Sequence, residues 1–414
     1  MRTAIHTIGE AWKRHTFRGR RSARPHMRVN PFLLLLLVLS PALAAQEEQW
    51  LQYRSASQAR QIVGGMSNQY QEFPSRKPEG VKLPTFVADP PLFLAWETPM
   101  AKSGKVWLAF DKSSKTGRYD RLYLDANAND DLSDEPALEP ARRDSNQSYF
   151  GPVKIVFPGA DGPITYHLEL ELYTSAERNY CVLAPAGWYE GPITVAGVKQ
   201  HCVLIDYNVN GAFNDKSVDP EKSDRIRIGP QDSRDTRFVG NYIEVGDKLY
   251  TLEIARDGAY VIVKEAKDVP FGTVRLAENI TSFSAGGENG LFARKPEKGI
   301  VKLPVGAYRV DSWSIARDDG QGSKWELQGQ YFPAKTGDFR VAADKEALLA
   351  IGEPVQSTVS VNPGGSAFSF GQRLGGRQGE QITLLRNGAR PQPPKLRIRS
   401  RDGTYDRGMS FEYG

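Results

Sequence analysis

The stretch ITYHLELELY, residues 164–173, alternates without a break: Ile164, Tyr166, Leu168, Leu170 and Leu172 fall on one side, Thr165, His167, Glu169 and Glu171 on the other. A period of two cannot make a helical face, but it does make an antiparallel strand with one side in a core. NYIEVGDKLYTLEIARDGAYVIVKEA, residues 241–266, adds three β-rich runs joined at Gly246-Asp247 and Asp257-Gly258. Those dipeptides supply the positive φ of tight hairpins and predict a three-stranded meander. The same turn signals recur at Asn387-Gly388 and Asp402-Gly403. With 39 Gly and 27 Pro spread among such runs, the expected fold class is all-β: tandem antiparallel β-sandwich-like domains. WLQYRSASQARQIVG, residues 50–64, reads as the one short N-terminal helix.

A chain of 414 residues is long for one domain, and the expected division places boundaries near 155 and 270. Residues 1–44 read as leader and signal peptide, 45–155 as an N-terminal β domain, 156–270 as a second and 271–414 as a C-terminal sandwich-like region. Echoes support repetition: RKPEGVKLP at 76–84 returns as RKPEKGIVKLP at 294–304, and two acidic loops lie 81 positions apart.

The leader is read from MRVNPFLLLLLVLSPALA, with a basic start at Met27-Arg28, an apolar run and a small-residue site at Ala42-Leu43-Ala44. Export to the periplasm or the extracellular space follows, with no membrane span after cleavage; either Met1 or Met27 serves as the start. Residues 1–44 hold eight of the 54 Lys and Arg and one of the 49 Asp and Glu, so the remainder is close to −2. Net charge therefore gives no reason to expect nucleic-acid binding. Cys181 and Cys202, both in strand-like segments, are a disulfide candidate in an exported chain; a bridge of that span contributes about 3 kcal/mol.

The two acidic loops, DANANDDLSD and DYNVNGAFND, match position by position. Position 1 is Asp125 or Asp206, position 3 Asn127 or Asn208, position 5 Asn129 or Asn210, and position 10 Asp134 or Asp215. Calcium takes six to eight oxygens from carboxylates, amides and carbonyls, and alternate positions of a curled loop supply them. Position 6, where the turn is sharp, is Gly211 in one loop and Asp130 in the other, and an apolar residue follows at position 8, Leu132 or Phe213.

About ten residues of each loop resemble the calcium loops of dockerins and other EF-hand-like proteins. The likeness stops at the loop: position 12 is Pro136 or Ser217 rather than a bidentate Glu, and RLYL and HCVLI lead in as strands rather than helices. The resemblance implies structural calcium held by Asp125, Asn127, Asn129, Asp134, Asp206, Asn208, Asn210 and Asp215. Segments such as residues 91–135, and with them most of the chain past the leader, also resemble secreted bacterial proteins that carry such loops, a likeness that brings no activity with it.

Catalytic motifs are missing. Past the leader the histidines are His167 and His201, with no spacing for zinc or a triad, and no nucleophile elbow, P-loop or HExxH occurs. Glu169 and Glu171 share a strand face that a solvated surface explains. GWYEG, residues 187–191, reads as a turn-like platform offering Trp188 and Tyr189 to a ligand. The expected function is a non-catalytic, calcium-stabilised exported β protein with a surface, envelope or ligand-binding role, with carbohydrate or an envelope component as partner. The alternatives are a calcium-stabilised hydrolase of polysaccharide and a partner-dependent assembly module.

Overall fold

The structure is a computed structural model that describes residues 47–64, 66–73, 77–365 and 367–413. The leader and its cleavage site lie outside the described residues. Among the described residues strands make up 54% and helix 2%, in several antiparallel sheets with no closed barrel. Among the described residues no helix is long and apolar enough to cross a membrane.

Four sheets surround a first core. The expected meander is present as Tyr242–Val245, Lys248–Ile254 and Tyr260–Glu265, with Gly246 and Gly258 at φ 65° and 83° in its turns and Gln49–Trp50 added on its edge. A five-stranded sheet runs Gln69–Glu72, Asn179–Pro185, Gly162–Thr174, Gln147–Gly159, Arg142–Arg143 in spatial order. A second runs Arg237–Phe238, Arg225–Gly229, Val198–Ile205, Gly187–Val195, Gln52–Ser55, and three strands, Leu92–Glu97, Lys105–Lys112 and Tyr119–Leu124, form another. Within Gly162–Thr174 the burial follows the sequence: Tyr166, Leu168, Leu170 and Leu172 are buried and the residues between them are not. Trp96, Phe110, Phe157, Tyr166, Leu168 and Phe213 meet in this core, which draws on residues from both sides of position 155.

A second core, around Phe283, Phe292, Tyr308 and Trp313, lies under the sheet Gly290–Arg294, Ser282–Gly287, Gly306–Asp318, Lys324–Gln330, Gln381–Arg386, Ala367–Gly375, Gln356–Gly364. Beside it, Phe271–Arg275 pairs antiparallel with Ile300–Pro304 and parallel with Glu346–Leu348.

Three expectations need correction. The helix is confined to Ala59–Val63, because Gln49–Trp50 and Gln52–Ser55 are drawn into sheets by Tyr260–Glu265 and Gly187–Val195. The echo at 76–84 and 294–304 is not a structural repeat. Lys82 forms an isolated bridge to the first acidic loop, whereas Ile300–Pro304 is a regular strand. Cys181 and Cys202 are free thiols with no exposed surface, in strands of two different sheets. Burial keeps both protonated, Cys202 being pushed up to about 12.

Candidate metal centre

Each acidic loop leaves a strand, Tyr119–Leu124 for the first and Val198–Ile205 for the second, as expected for the lead-in segments RLYL and HCVLI. The chain then curls identically in both. Position 4 takes positive φ, 55° at Ala128 and 58° at Val209, and so does position 6, 60° at Asp130 and 87° at Gly211. Position 8 is sunk into the protein, with Leu132 at 0% and Phe213 at 1% exposure.

The position-1 carboxylate organises the curl. Asp125 accepts the N–H groups of Asn129 and Asp130, each at 2.9 Å. Asp206 accepts those of Asn210 and Gly211 at 3.2 and 2.7 Å. Position 5 accepts the N–H of position 7 at 2.9 Å in both, Asn129 from Asp131 and Asn210 from Ala212. It also turns its amide nitrogen to position 10: Asn129 donates to Asp134 at 2.9 Å and Asn210 to Asp215 at 2.6 Å. A repeated sequence has thus produced a repeated hydrogen-bond plan.

The loops differ in how they are seated. The first is strapped by Lys82, whose N–H donates to the Asp130 carbonyl and whose ammonium meets Asp131 at 2.9 Å. That ammonium holds the Asp131 carboxyl down at about 2, helped by Ser133. Asn127, Asn129 and Asp134 remain exposed. The second loop is enclosed. Tyr166 donates to Asp206 Oδ2 at 2.7 Å, Trp96 Nε1 to the Val209 carbonyl at 2.6 Å, and Gln69 Nε2 to the carbonyls of Asn208 and Val209.

Sequence reasoning missed the carboxylate that closes each ring. Glu135 accepts the N–H of position 2, Ala126, at 2.8 Å. In the second loop Asp224 does this for Tyr207 at 3.0 Å and also accepts the N–H of Asp215 at 2.8 Å. Asp206 and Asp224 have no exposed surface, and desolvation drives both carboxyls above the usual range against the pull of their N–H donors. Burial also raises Asp125 and Glu135.

The donors fit a hard cation better in the second loop than in the first. Asn208 and Asn210 both bring their amide ends to Asp215 Oδ2, at 2.8 and 2.6 Å, so positions 3, 5 and 10 converge on one point. A half-turn about χ2 would place the Asn208 amide oxygen there, whereas the same turn at Asn210 would give up the bond its oxygen accepts from the Ala212 N–H. Asn208 Oδ1 is a buried acceptor with no hydrogen-bond partner among the described residues. A cleft of about 590 Å³, lined by Asn208, Asn210, Glu97, Asp219 and Glu221, gives this point a path to solvent. In the first loop the Asn127 amide oxygen is taken up by the Asn129 N–H at 3.1 Å. Among the described residues, no group of three or more His, Cys, Asp or Glu side chains is placed to hold a metal. The converging set is instead one carboxylate and two amides.

The remaining candidates take structural places. Trp188 and Tyr189 form no platform: at 7% and 8% exposure they lie in the strand Gly187–Val195, Trp188 against Ala59 and Val203 and Tyr189 edge-on to Phe213. The flanking glycines that look turn-like make room for neighbours, since a Cβ at Gly187 would strike the Tyr53 ring. His167 Nδ1 lies 3.1 Å from the Tyr53 hydroxyl and His201 Nε2 3.8 Å from Glu190. Glu169 accepts the Gln58 N–H and Glu171 the Gln147 amide.

Compared with protein-family models, with curated proteins and with solved structures, the chain finds no match in any of the three.

Proposed function

We propose that the protein is an exported, non-catalytic β protein with a surface, envelope or ligand-binding role, whose first core is stabilised by calcium at the acidic loops. The observation that carries this reading is the convergence of Asn208, Asn210 and Asp215, with Asn208 Oδ1 buried and without a hydrogen-bond partner among the described residues. Calcium there would be held by those three side chains, and it would neutralise carboxylates gathered in the interior. Asn127, Asn129 and Asp134 form the weaker, exposed counterpart. The strand flanks of both loops weigh against a dockerin-like assembly module, which needs helices there.

The test is thermal unfolding of the chain without residues 1–44, first in excess chelator and then at about 1 mM calcium, a concentration suited to extracellular sites. At a Kd of ~0.1 mM, one site contributes about 1.4 kcal/mol, a rise of a few degrees. Asp215→Asn keeps the shape and a hydrogen-bond acceptor but removes the charge, so it should abolish the rise while leaving the chelated midpoint nearly unchanged. An identical midpoint with and without calcium in the unsubstituted chain would sink the proposal and leave both loops as Asx turns.

A further inference from the structure

Two neighbouring strands in the C-terminal sheet begin as partners and then separate. Ala367–Gly375 and Gln381–Arg386 share one register pair, Gly375 with Gln381. On its other side each is fully paired, by nine pairs to Gln356–Gly364 and by six to Lys324–Gln330. The hairpin 356–375 therefore leaves the sheet at Gly375 as an arm. A cleft of about 900 Å³ opens between the arm and the body of the sheet.

Beyond the Gly375–Gln381 pair, the facing edges of these two strands have no ladder partner among the described residues except at Arg386, which exchanges two backbone hydrogen bonds with Ala389. Unpaired edges of this kind invite another strand, and native proteins usually blunt them with charge, bulges or a cover. Here the arm carries no charged residue from Gln356 to Gln372. The lining is mixed, and its apolar side chains come from three elements: Phe370 from the arm, Leu384 from the facing strand, Leu396 and Met409 from the last hairpin. On the arm, Val359, Val361 and Phe368 are each more than half exposed.

Charge narrows the choice of occupant. Residues 356–413 hold nine Lys and Arg against four Asp and Glu, whereas residues 45–355 hold 37 against 44. Arg373 and Arg390 stand in the lining with no carboxylate partner among the described residues. Arg373 donates to the Gly379 carbonyl at 3.1 Å, and Arg390 lies over the Tyr413 ring at 5.1 Å. Glu412 is the one carboxylate in the lining. An acyl chain would fill the apolar walls but leave the backbone edges unpaired, whereas an extended peptide meets both needs.

We propose that this cleft binds an extended segment of a partner protein, acidic side chains alternating with apolar ones, which adds a strand beside Gln381–Arg386. The backbone ladder supplies affinity, the alternate apolar residues enter the lining, and the acidic ones meet Arg373 and Arg390.

The experiment is fluorescence anisotropy with the chain lacking residues 1–44 and a labelled peptide alternating Glu and Val, about nine residues long to match a strand. Three further probes are its N-methylated form, a Lys-Val counterpart and vesicles of an anionic phospholipid. The Glu-Val peptide should bind, and N-methylation, the exchange of Glu for Lys, Phe370→Asp and Arg390→Gln should each weaken it by about tenfold or more. The probe comparisons stand even if a variant fails to fold, because they use the unsubstituted protein. Failure of the Glu-Val peptide to bind, equal binding of the N-methylated form or equal binding of the Lys-Val peptide would overturn the proposal. Binding of vesicles without binding of peptide would also overturn it and assign the cleft to lipid.

Discussion

The phenol of Tyr166 donates a 2.7 Å hydrogen bond to Oδ2 of Asp206, so an alternating strand reaches across the core to the first position of the second acidic loop. Both residues are completely or almost completely buried. Tyr166→Phe removes only this bond and leaves the ring stacked against Trp96, 5.5 Å away. The expected loss is about 1.5–3 kcal/mol, the range for hydrogen bonds to charged groups, read as a lower denaturant midpoint at unchanged slope. A change of less than a few tenths would show that the bond carries no net stability.

The sixth position separates the two loops. Gly211 has φ 87°, and a Cβ there would meet Thr98 Oγ1 at 3.1 Å and Trp96 at 3.3 Å. Gly211→Ala should cost about 1–3 kcal/mol through backbone strain and crowding. Asp130, at φ 60°, already bears part of the left-handed cost, so Asp130→Gly should be neutral or stabilise by up to about 1 kcal/mol. Unfolding of the two variants side by side checks the contrast, and equal destabilisation by both would refute it.

Burial, with Lys154 opposite it in the sheet, lowers the His167 pKa. The unfolded chain then takes up a proton here near pH 6.5 while the folded one resists. Stability from this group is present above pH 6.5 and falls as pH drops through that value toward the folded pKa. His167→Gln should flatten the part of the midpoint-versus-pH curve just below about pH 6.5. An unchanged curve would place the acid sensitivity elsewhere.

The thiols should be silent. With Cys181 and Cys202 buried and held protonated, an aromatic disulfide reagent should label neither in the folded chain and both after denaturation. A reducing agent should leave the unfolding midpoint where it was. A drop in that midpoint would instead indicate a bridge.

What the sequence discloses here is whatever repeats or alternates. Gly162–Thr174 is legible because its five apolar side chains share one face, and the meander because Gly246-Asp247 and Asp257-Gly258 admit few conformations. The loops are legible because the same residue types recur at positions 1, 3, 5 and 10. Asp224 is not, since it lies 18 residues beyond Asp206 and joins the loop only through the pairing of Val198–Ile205 with Arg225–Gly229. Tyr166 is legible as a core residue and illegible as a hydrogen-bond donor, because its partner is chosen by the packing of one sheet on another. GWYEG misleads because glycine looks the same at a turn and beneath a tyrosine ring. The first seven residues of 50–64 have too weak a helical pattern to resist two waiting strand edges.

Both acidic loops are tied to one rigid hairpin. The Ala126 carbonyl of the first accepts the Val156 N–H at 2.7 Å, Ile155 pairs with Tyr166 across the hairpin, and Tyr166 holds Asp206 of the second. The span between the loops is thus set by a beam of paired strands and not by the length of chain that separates them. Extra residues spliced into the tip of that hairpin, at Ala160-Asp161, would lengthen the chain between the loops and leave the gauge between them unaltered.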